Sequence, residues 1–373
     1  MKKVVVSSNT SWSVFNFRLE LLRFLAKNYQ VEVIAPKDPY SDKLRDMGFA
    51  VHHIDMASSS INPFQDISTL LVYWRLLKKI KPDYYLGFTA KPNIYGGFIA
   101  SLVGCRVINN IAGLGRTFSN SGLLQSLMQL LYRISLSQSQ CVFFQNKDDQ
   151  SLFLEKGLLK NINNFVLPGS GVDVNRFTCQ QTKPLEVTDS TSPSFVFLFS
   201  ARLLLEKGIR EYISAANQLK AIYPNCIFQV LGKYGGTSAE LPKAELEEAC
   251  QNGTIEYLGT TDNVVSVLHN ANCFVLPSYY REGVPRSLLE AGSCGLPLIT
   301  TDSVGCRETV INGVNGYLIS PRSSVALFDA MKKIVELDVR ERREMGLASR
   351  NYMVSHFSET LVLEQYQHVL SES

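Results

Sequence analysis

Glu282 and Glu290 lie eight positions apart in the stretch REGVPRSLLEAGSCGLPLIT, and carboxylates so placed can take hydroxyl groups from two parts of one ligand. The apolar run CFVLPS before them reads as a short strand, so the order is strand, loop with Glu282, then helix. Pro285 suits the first helical position, where its missing N–H is not needed. A helix starting there turns the N–H groups around Val284–Arg286, and its positive dipole end, toward the mouth of the sheet. That is a place for phosphate. Glu290 then sits roughly 7–8 Å further along the helix, within reach of something attached to the phosphate. Taken alone, the pair also suits two surface carboxylates on an ordinary strand–helix unit.

Two other stretches add cations and glycines. FSARLLLEKGI places Arg202 and Lys207 where a strand ends and a helix opens at Gly208. They are either solvated surface charges or a clamp for a diphosphate. VLGKYGG ends another strand at Gly232, which is either a tight turn or a point of close backbone approach by a ligand. Together, Arg202, Lys207 and the backbone of Gly283, Val284, Pro285 and Arg286 would hold a diphosphate. Glu290 would accept hydrogen bonds from ribose hydroxyls, and Glu282 from a sugar on the distal phosphate. A nucleotide diphosphate sugar fits all three places.

These side chains need strands and helices to carry them. Apolar runs near residues 4–7, 31–35, 51–54, 84–87, 107–110, 141–145 and 165–167 alternate with amphipathic helical stretches in the first half. Further runs near 195–200, 227–232, 255–258, 273–277, 297–300 and 317–319 do so in the second. Such alternation predicts an α/β fold with parallel, doubly wound sheets. The polar stretch Thr178–Ser194 reads as a linker. With 373 residues, 45% hydrophobic and 19% charged, the chain has enough material for two full cores. MKKVVVSSNT is too short in apolar residues for a signal peptide, and no run reaches the ~20 that a membrane span needs. The eight cysteines are scattered without a C-x-x-C pair, which reads as reduced thiols in the cytoplasm, and the five histidines lack H-x-x-x-H spacing. No metal site is expected. GLGRTF only partly echoes a dinucleotide turn, so no dinucleotide cofactor is expected either.

In its second half the chain resembles the retaining glycosyltransferase family 4. The family's R-x-x-x-x-K-G element stands at Arg202–Gly208 and its E-x7-E element at Glu282 and Glu290. PGSGVDVNRF resembles the segment between the family's domains. NFRLELLRFL, FTAKPNIYG and NIAGLGRTF resemble the subgroup that builds bacterial lipid-linked surface glycans, including the PglA-like N-acetylgalactosaminyltransferases. The resemblance implies the GT-B fold, two Rossmann-like domains facing a cleft. The expected domains are an acceptor domain over 1–175, a donor domain over 176–355, and a C-terminal helix over 356–373 returning to the first domain. It also implies that Arg202 and Lys207 offset charge on the leaving diphosphate, that Glu290 binds ribose, and that Glu282 contacts the donor sugar. No metal is required in this scheme. The chain departs from the family where SSNTSWSVFNF replaces a Gly-rich loop and AGLGRTF lacks a His. No catalytic His is therefore assigned, and His52 and His53 read as structural.

Residues 1–170 hold 19 Lys and Arg against 11 Asp and Glu, a balance of +8, and residues 171–373 hold 18 against 23, a balance of −5. A basic first half suggests an anionic partner. The helical stretches DISTLLVYWRLLKKIKPD and LLQSLMQLLYRI suit either core packing or docking on anionic lipid. Lys91 and Arg116 are candidates for an acceptor diphosphate. The expected partners are a UDP-sugar, a polyprenyl-diphosphate-linked acceptor and an anionic membrane surface, with no nucleic acid. The expected place is the cytoplasmic face of the cell membrane. A UDP-sugar epimerase of the same fold and a non-catalytic sugar-nucleotide-binding module are the competing readings.

Overall fold

A computed structural model describes residues 1–56, 63–115, 122–179, 194–235 and 237–371. It divides into two compact units, Met1–Ser170 with Thr360–Ser373, and Gly171–Glu359.

In the first unit strands and helices alternate as β1 (Lys3–Ser7), α1 (Ser11–Ala26), β2 (Gln30–Ala35), α2 (Tyr40–Asp46), β3 (Ala50–His53) and α3 (Pro63–Ile80). There follow β4 (Tyr84–Phe88), α4 (Gly97–Leu102), β5 (Arg106–Ile111), α5 (Leu123–Leu136), β6 (Cys141–Phe144), α6 (Lys147–Glu155) and β7 (Asn163–Val166). The strands pair in parallel in the order β3-β2-β1-β4-β5-β6-β7. Alternate valines of β1 explain the layers, because successive side chains of a strand point to opposite faces. Val4 and Val6 join Leu22 and Leu25 of α1, whereas Val5 joins Tyr73 and Leu77 of α3. Both faces are covered, so the strand reads as an unbroken apolar run. The strand order reverses between β1 and β4, and ligands of such sheets bind beyond the carboxyl ends at that point.

The second unit runs β8 (Phe195–Ser200), α7 (Ile209–Ile222), β9 (Cys226–Leu231), α8 (Lys243–Gln251), β10 (Glu256–Tyr257) and α9 (Val264–His269). It continues with β11 (Cys273–Leu276), α10 (Arg286–Ser293), β12 (Leu298–Thr301), β13 (Gly316–Ile319), α11 (Ser324–Glu336) and α12 (Val339–His356). Its parallel sheet has the order β10-β9-β8-β11-β12-β13, so the reversal falls between β8 and β11. The aromatic strand β8 fills the core, with Phe197 stacked on Phe228 at 5.5 Å. Tyr212 of α7 donates its buried hydroxyl hydrogen to the Phe197 carbonyl at 2.9 Å, which ties the helix to the sheet. Two separate doubly wound parallel sheets are what the alternation of apolar runs predicts.

Helix α13 (Glu359–Ser371) lies, from Thr360 onward, in the first unit. Its Tyr366 is fully buried, and Asn110 at the end of β5 donates to the tyrosine hydroxyl oxygen at 3.1 Å. The chain enters the second unit at Gly171, before the polar stretch Thr178–Ser194 that reads as a linker. The reason is local. Val172 donates its N–H to the Phe357 carbonyl at 2.8 Å, and Phe177 is buried in the second core. Residues 180–193 of that stretch lie outside the described residues.

Candidate active site

The two strands at the reversal point of the second sheet deliver the side chains. After β8 the chain makes a 3-10 turn over Leu205–Lys207 and then enters α7 through Gly208. Gly208 has φ +81, and a Cβ there would meet the Pro277 carbonyl oxygen at 2.2 Å, so only glycine lets this turn lie against the end of β11. That close approach brings Lys207 to Glu282, and the two form an ion pair. Their side chains are only 13% and 12% exposed. Ser278 lies under the same carboxylate, its hydroxyl 3.0 Å from Glu282 Oε1 and 3.3 Å from the Glu206 carbonyl oxygen. With one hydrogen, the hydroxyl donates to one of these at a time. The Lys207 ammonium also stands 5.4 Å from the centre of the Tyr280 ring.

The second glutamate is held differently. Arg286 Nε donates to Glu290 Oε1 at 3.0 Å across one turn of α10, with side chains 12% and 17% exposed. Burial pushes the Glu290 carboxyl above its ordinary pKa, and the opposing charge and hydrogen bond of Arg286, helped by Arg176, limit the rise. Pro285 is not the first helical residue but the one before it, with φ −64 and ψ 114. Its carbonyl accepts from Leu288 N at 3.1 Å, so it takes the capping position and the helix begins at Arg286. Gly283 and Val284 are buried in the loop that leads there.

The remaining candidates are spread more widely. Arg202 is exposed and pairs with no carboxylate among the described residues. Gly232 has φ +154, and a Cβ there would stand 1.8 Å from the Ala201 carbonyl oxygen. Its N–H donates to the Gly259 carbonyl at 2.7 Å and its own carbonyl accepts from the Tyr257 hydroxyl at 2.9 Å. The close approach seen in this structure is thus to the Ala201 backbone of the same chain. In the first unit, Lys91 is paired with the buried Asp66 at 2.8 Å, so its charge is already balanced. Arg116 lies outside the described residues. His52 bonds Glu32 Oε2 at 2.6 Å across β2 and β3, a structural use.

Residues with no role in the sequence reading complete the loop. The Ser278 carbonyl accepts from the hydroxyls of Thr301 and Ser303, the latter at 2.9 Å. Cys306 is fully buried behind the carboxylate, and burial together with the Glu282 charge pushes its thiol up to about 11. Gly305 packs on the backbone of Gly283. Of these, only Cys306 enters the sequence analysis, as one of the eight scattered cysteines. Among the described residues, no three His, Cys, Asp or Glu side chains are grouped so as to hold a metal ion.

Two doubly wound parallel sheets, the second with a carboxylate–ammonium pair and a further carboxylate past its carboxyl ends, fit the two-domain GT-B fold of glycosyltransferases. Residues 3–146 match the glycosyl transferase 4-like family and residues 182–352 the glycosyl transferases group 1 family, and the chain belongs to these glycosyltransferases. It is 26% identical to the N,N'-diacetylbacillosaminyl-diphospho-undecaprenol alpha-1,3-N-acetylgalactosaminyltransferase of Campylobacter jejuni, over 96% of each chain. It is 24% identical to the UDP-Gal:alpha-D-GlcNAc-diphosphoundecaprenol alpha-1,3-galactosyltransferase of Escherichia coli, over 80% of this chain and 78% of that one. The fold matches Anabaena HepE, crystallised with UDP and glucose, with TM-score 0.78 and 18% identity over 100% of both chains. The enzyme is therefore a glycosyltransferase, and the epimerase and binding-module readings fall away.

Proposed function

We propose that the enzyme moves a hexose or N-acetylhexosamine from a UDP-sugar to a polyprenyl-diphosphate-linked saccharide, with retention at the transferred carbon, in bacterial surface glycan synthesis. The observation that carries this reading is the Lys207–Glu282 pair at the reversal point, with Glu290 one turn into the helix that follows. Glu290 accepts from the ribose hydroxyls, Glu282 orients the donor sugar, and Lys207 and Arg202 balance the charge that grows on the departing diphosphate. These cations, with the amino end of α10, serve in place of a metal. The relatives that act on diphosphoundecaprenol-linked sugars support the acceptor class. Incubating the protein with radiolabelled UDP-sugars and bacterial lipid extract in EDTA tests the reading. Label should pass to the lipid phase. Transfer only after a divalent metal is restored would remove the metal-free scheme, and epimerised donor without transfer would remove the function.

Glu290→Gln is expected to lower UDP affinity, because losing a charge-assisted hydrogen bond costs about 1.5–3 kcal/mol. The raised pKa fixes the pH dependence: as pH falls through it, wild-type Glu290 takes a proton and becomes as neutral as the amide. The affinity gap between the two proteins should therefore close on the acid side, and comparing them cancels the titration of UDP itself. Calorimetry at several pH values checks this. A gap that is absent at neutral pH removes the ribose role.

We also propose that the first unit docks on the inner, anionic face of the cell membrane, as a peripheral protein. No helix among the described residues is long and apolar enough to cross a bilayer. Ile67 and Leu71 of α3, and Leu127, Leu130 and Ile134 of α5, are exposed, and α4 packs between these helices. Residues 61–140 contain eight Lys and Arg but only Asp66 and Asp83, and Asp66 is already paired with Lys91. With Lys91 neutralised by Asp66, the cation expected to meet the acceptor's diphosphate is Arg116, which lies outside the described residues. Each basic residue near an anionic surface contributes about 1 kcal/mol. Reversing Lys78, Lys79 and Lys81 to Glu should release the protein from anionic vesicles while sparing donor hydrolysis. Equal sedimentation of both proteins would show an ordinary solvated face.

A further inference from the structure

The first turn of α1 carries an exposed indole. Trp12, in the first turn of α1, is 44% exposed, although an indole is among the most favourable groups to bury. It stands beyond the carboxyl end of β1, one of the two strands at which the first sheet reverses. Two backbone bonds hold this turn, and one ring contact supports the indole. Ser13 donates its N–H to Thr10 Oγ1 at 3.0 Å, capping the helix, and Trp12 donates its own N–H to Asp38 Oδ2 at 2.9 Å. The indole meets the Phe17 ring edge-on with centroids 5.0 Å apart. An aromatic face already supported on one side loses less freedom on binding than an unsupported one.

The chemistry around it selects the ligand. The loop Ser8–Thr10 has no glycine that would let a phosphate reach the backbone, and the charged group bonded to this turn is the Asp38 carboxylate, which repels anions. A neutral ring with an apolar C–H face and polar edges is suited to both, with the face on the indole and a hydroxyl toward the carboxylate. We propose that Trp12 is the stacking platform for the saccharide of the acceptor, and so sets which acceptor sugar is used. This rests on the transfer reading, in which the donor occupies the other unit.

The chain has two tryptophans, so Trp74→Phe leaves Trp12 as the sole indole emitter. In that variant, with UDP present, farnesyl diphosphate carrying N-acetylhexosamine should shift and quench the emission, whereas farnesyl diphosphate without sugar should not. In the otherwise native enzyme, Trp12→Ala should raise acceptor KM about 5–10-fold, and Trp12→Phe less, with donor KM unchanged. Unchanged emission and unchanged acceptor KM in an enzyme that still turns over would overturn the platform and leave the transfer function standing. An equal response to the sugar-free probe would assign Trp12 to lipid or diphosphate and overturn it as well. Absence of transfer to any saccharide would take the functional reading down first.

Discussion

Lys207→Ala should reduce kcat by about 10²–10³-fold, the range found when one preorganised donor to a developing negative charge is removed. Two roles combine here. The proposed mechanism sets the ammonium against the leaving diphosphate, and the structure, through the glycine turn at Gly208, pairs it with Glu282. Removing it takes one partner from a carboxylate that is only 12% exposed, so Glu282 is held less firmly in place. Donor affinity should change much less than kcat, since only interactions that strengthen in the transition state accelerate the chemical step. Arg202→Ala should cost less, because Arg202 is exposed and holds no other site residue in place. Comparing Lys207→Ala with Lys207→Ala/Glu282→Gln separates the two effects: if much of the loss comes from the displaced Glu282, the double variant is no worse than the single one. A Lys207→Ala enzyme with a higher donor KM and an intact kcat would make the lysine a ground-state anchor.

The strand frame and the acidic pair are legible in the sequence because they depend on local pattern. Val4–Val6 and FVFLFS are apolar runs whatever lies around them, and E-x7-E places one carboxylate in a loop and one on the helix after it. What escapes is what the folded chain brings together from afar. Lys207 and Glu282 are 75 positions apart, and nothing in either segment names the other as its partner. Asp66 and Lys91 show the same limit. Lys91 reads as an available cation until α3 supplies a buried carboxylate 25 positions upstream. Pro285 illustrates a subtler limit. Proline is tolerated at the helix start because it lacks an N–H, but whether it stands just inside or just outside depends on which carbonyl the first N–H groups reach. Gly232 and Gly305 look alike as glycines after strands. One lies against Ala201, and the other supports the loop that carries Glu282.

That last contact gives the second large effect. Gly305 has φ +80, and a Cβ there would lie 2.0 Å from the Gly283 carbonyl oxygen and 2.9 Å from that of Glu282. Backbone cannot yield as a flexible side chain does, so Gly305→Ala must push the 282–283 segment away or unwind its own turn. The variant also pays about 1–2 kcal/mol for placing an L-residue in the left-handed region. Strain alone would lower stability without touching the chemistry, so it needs a control. Gly253 has φ +71 with nothing within 4 Å of a built Cβ, and it follows α8, outside the loops that carry the site residues. Gly253→Ala should lower Tm and leave kcat and KM as they were. Gly305→Ala should lower Tm further, because its Cβ also meets the 282–283 backbone, and in addition cut kcat/KM by roughly 10²-fold, the loss expected when a reacting geometry shifts by about 1 Å. The loss should appear in transfer more than in UDP affinity, because Glu290 sits on α10, beyond the displaced segment. If the two alanine variants show the same kinetics, the loop tolerates the shift and Glu282 does not depend on where Gly305 holds its backbone.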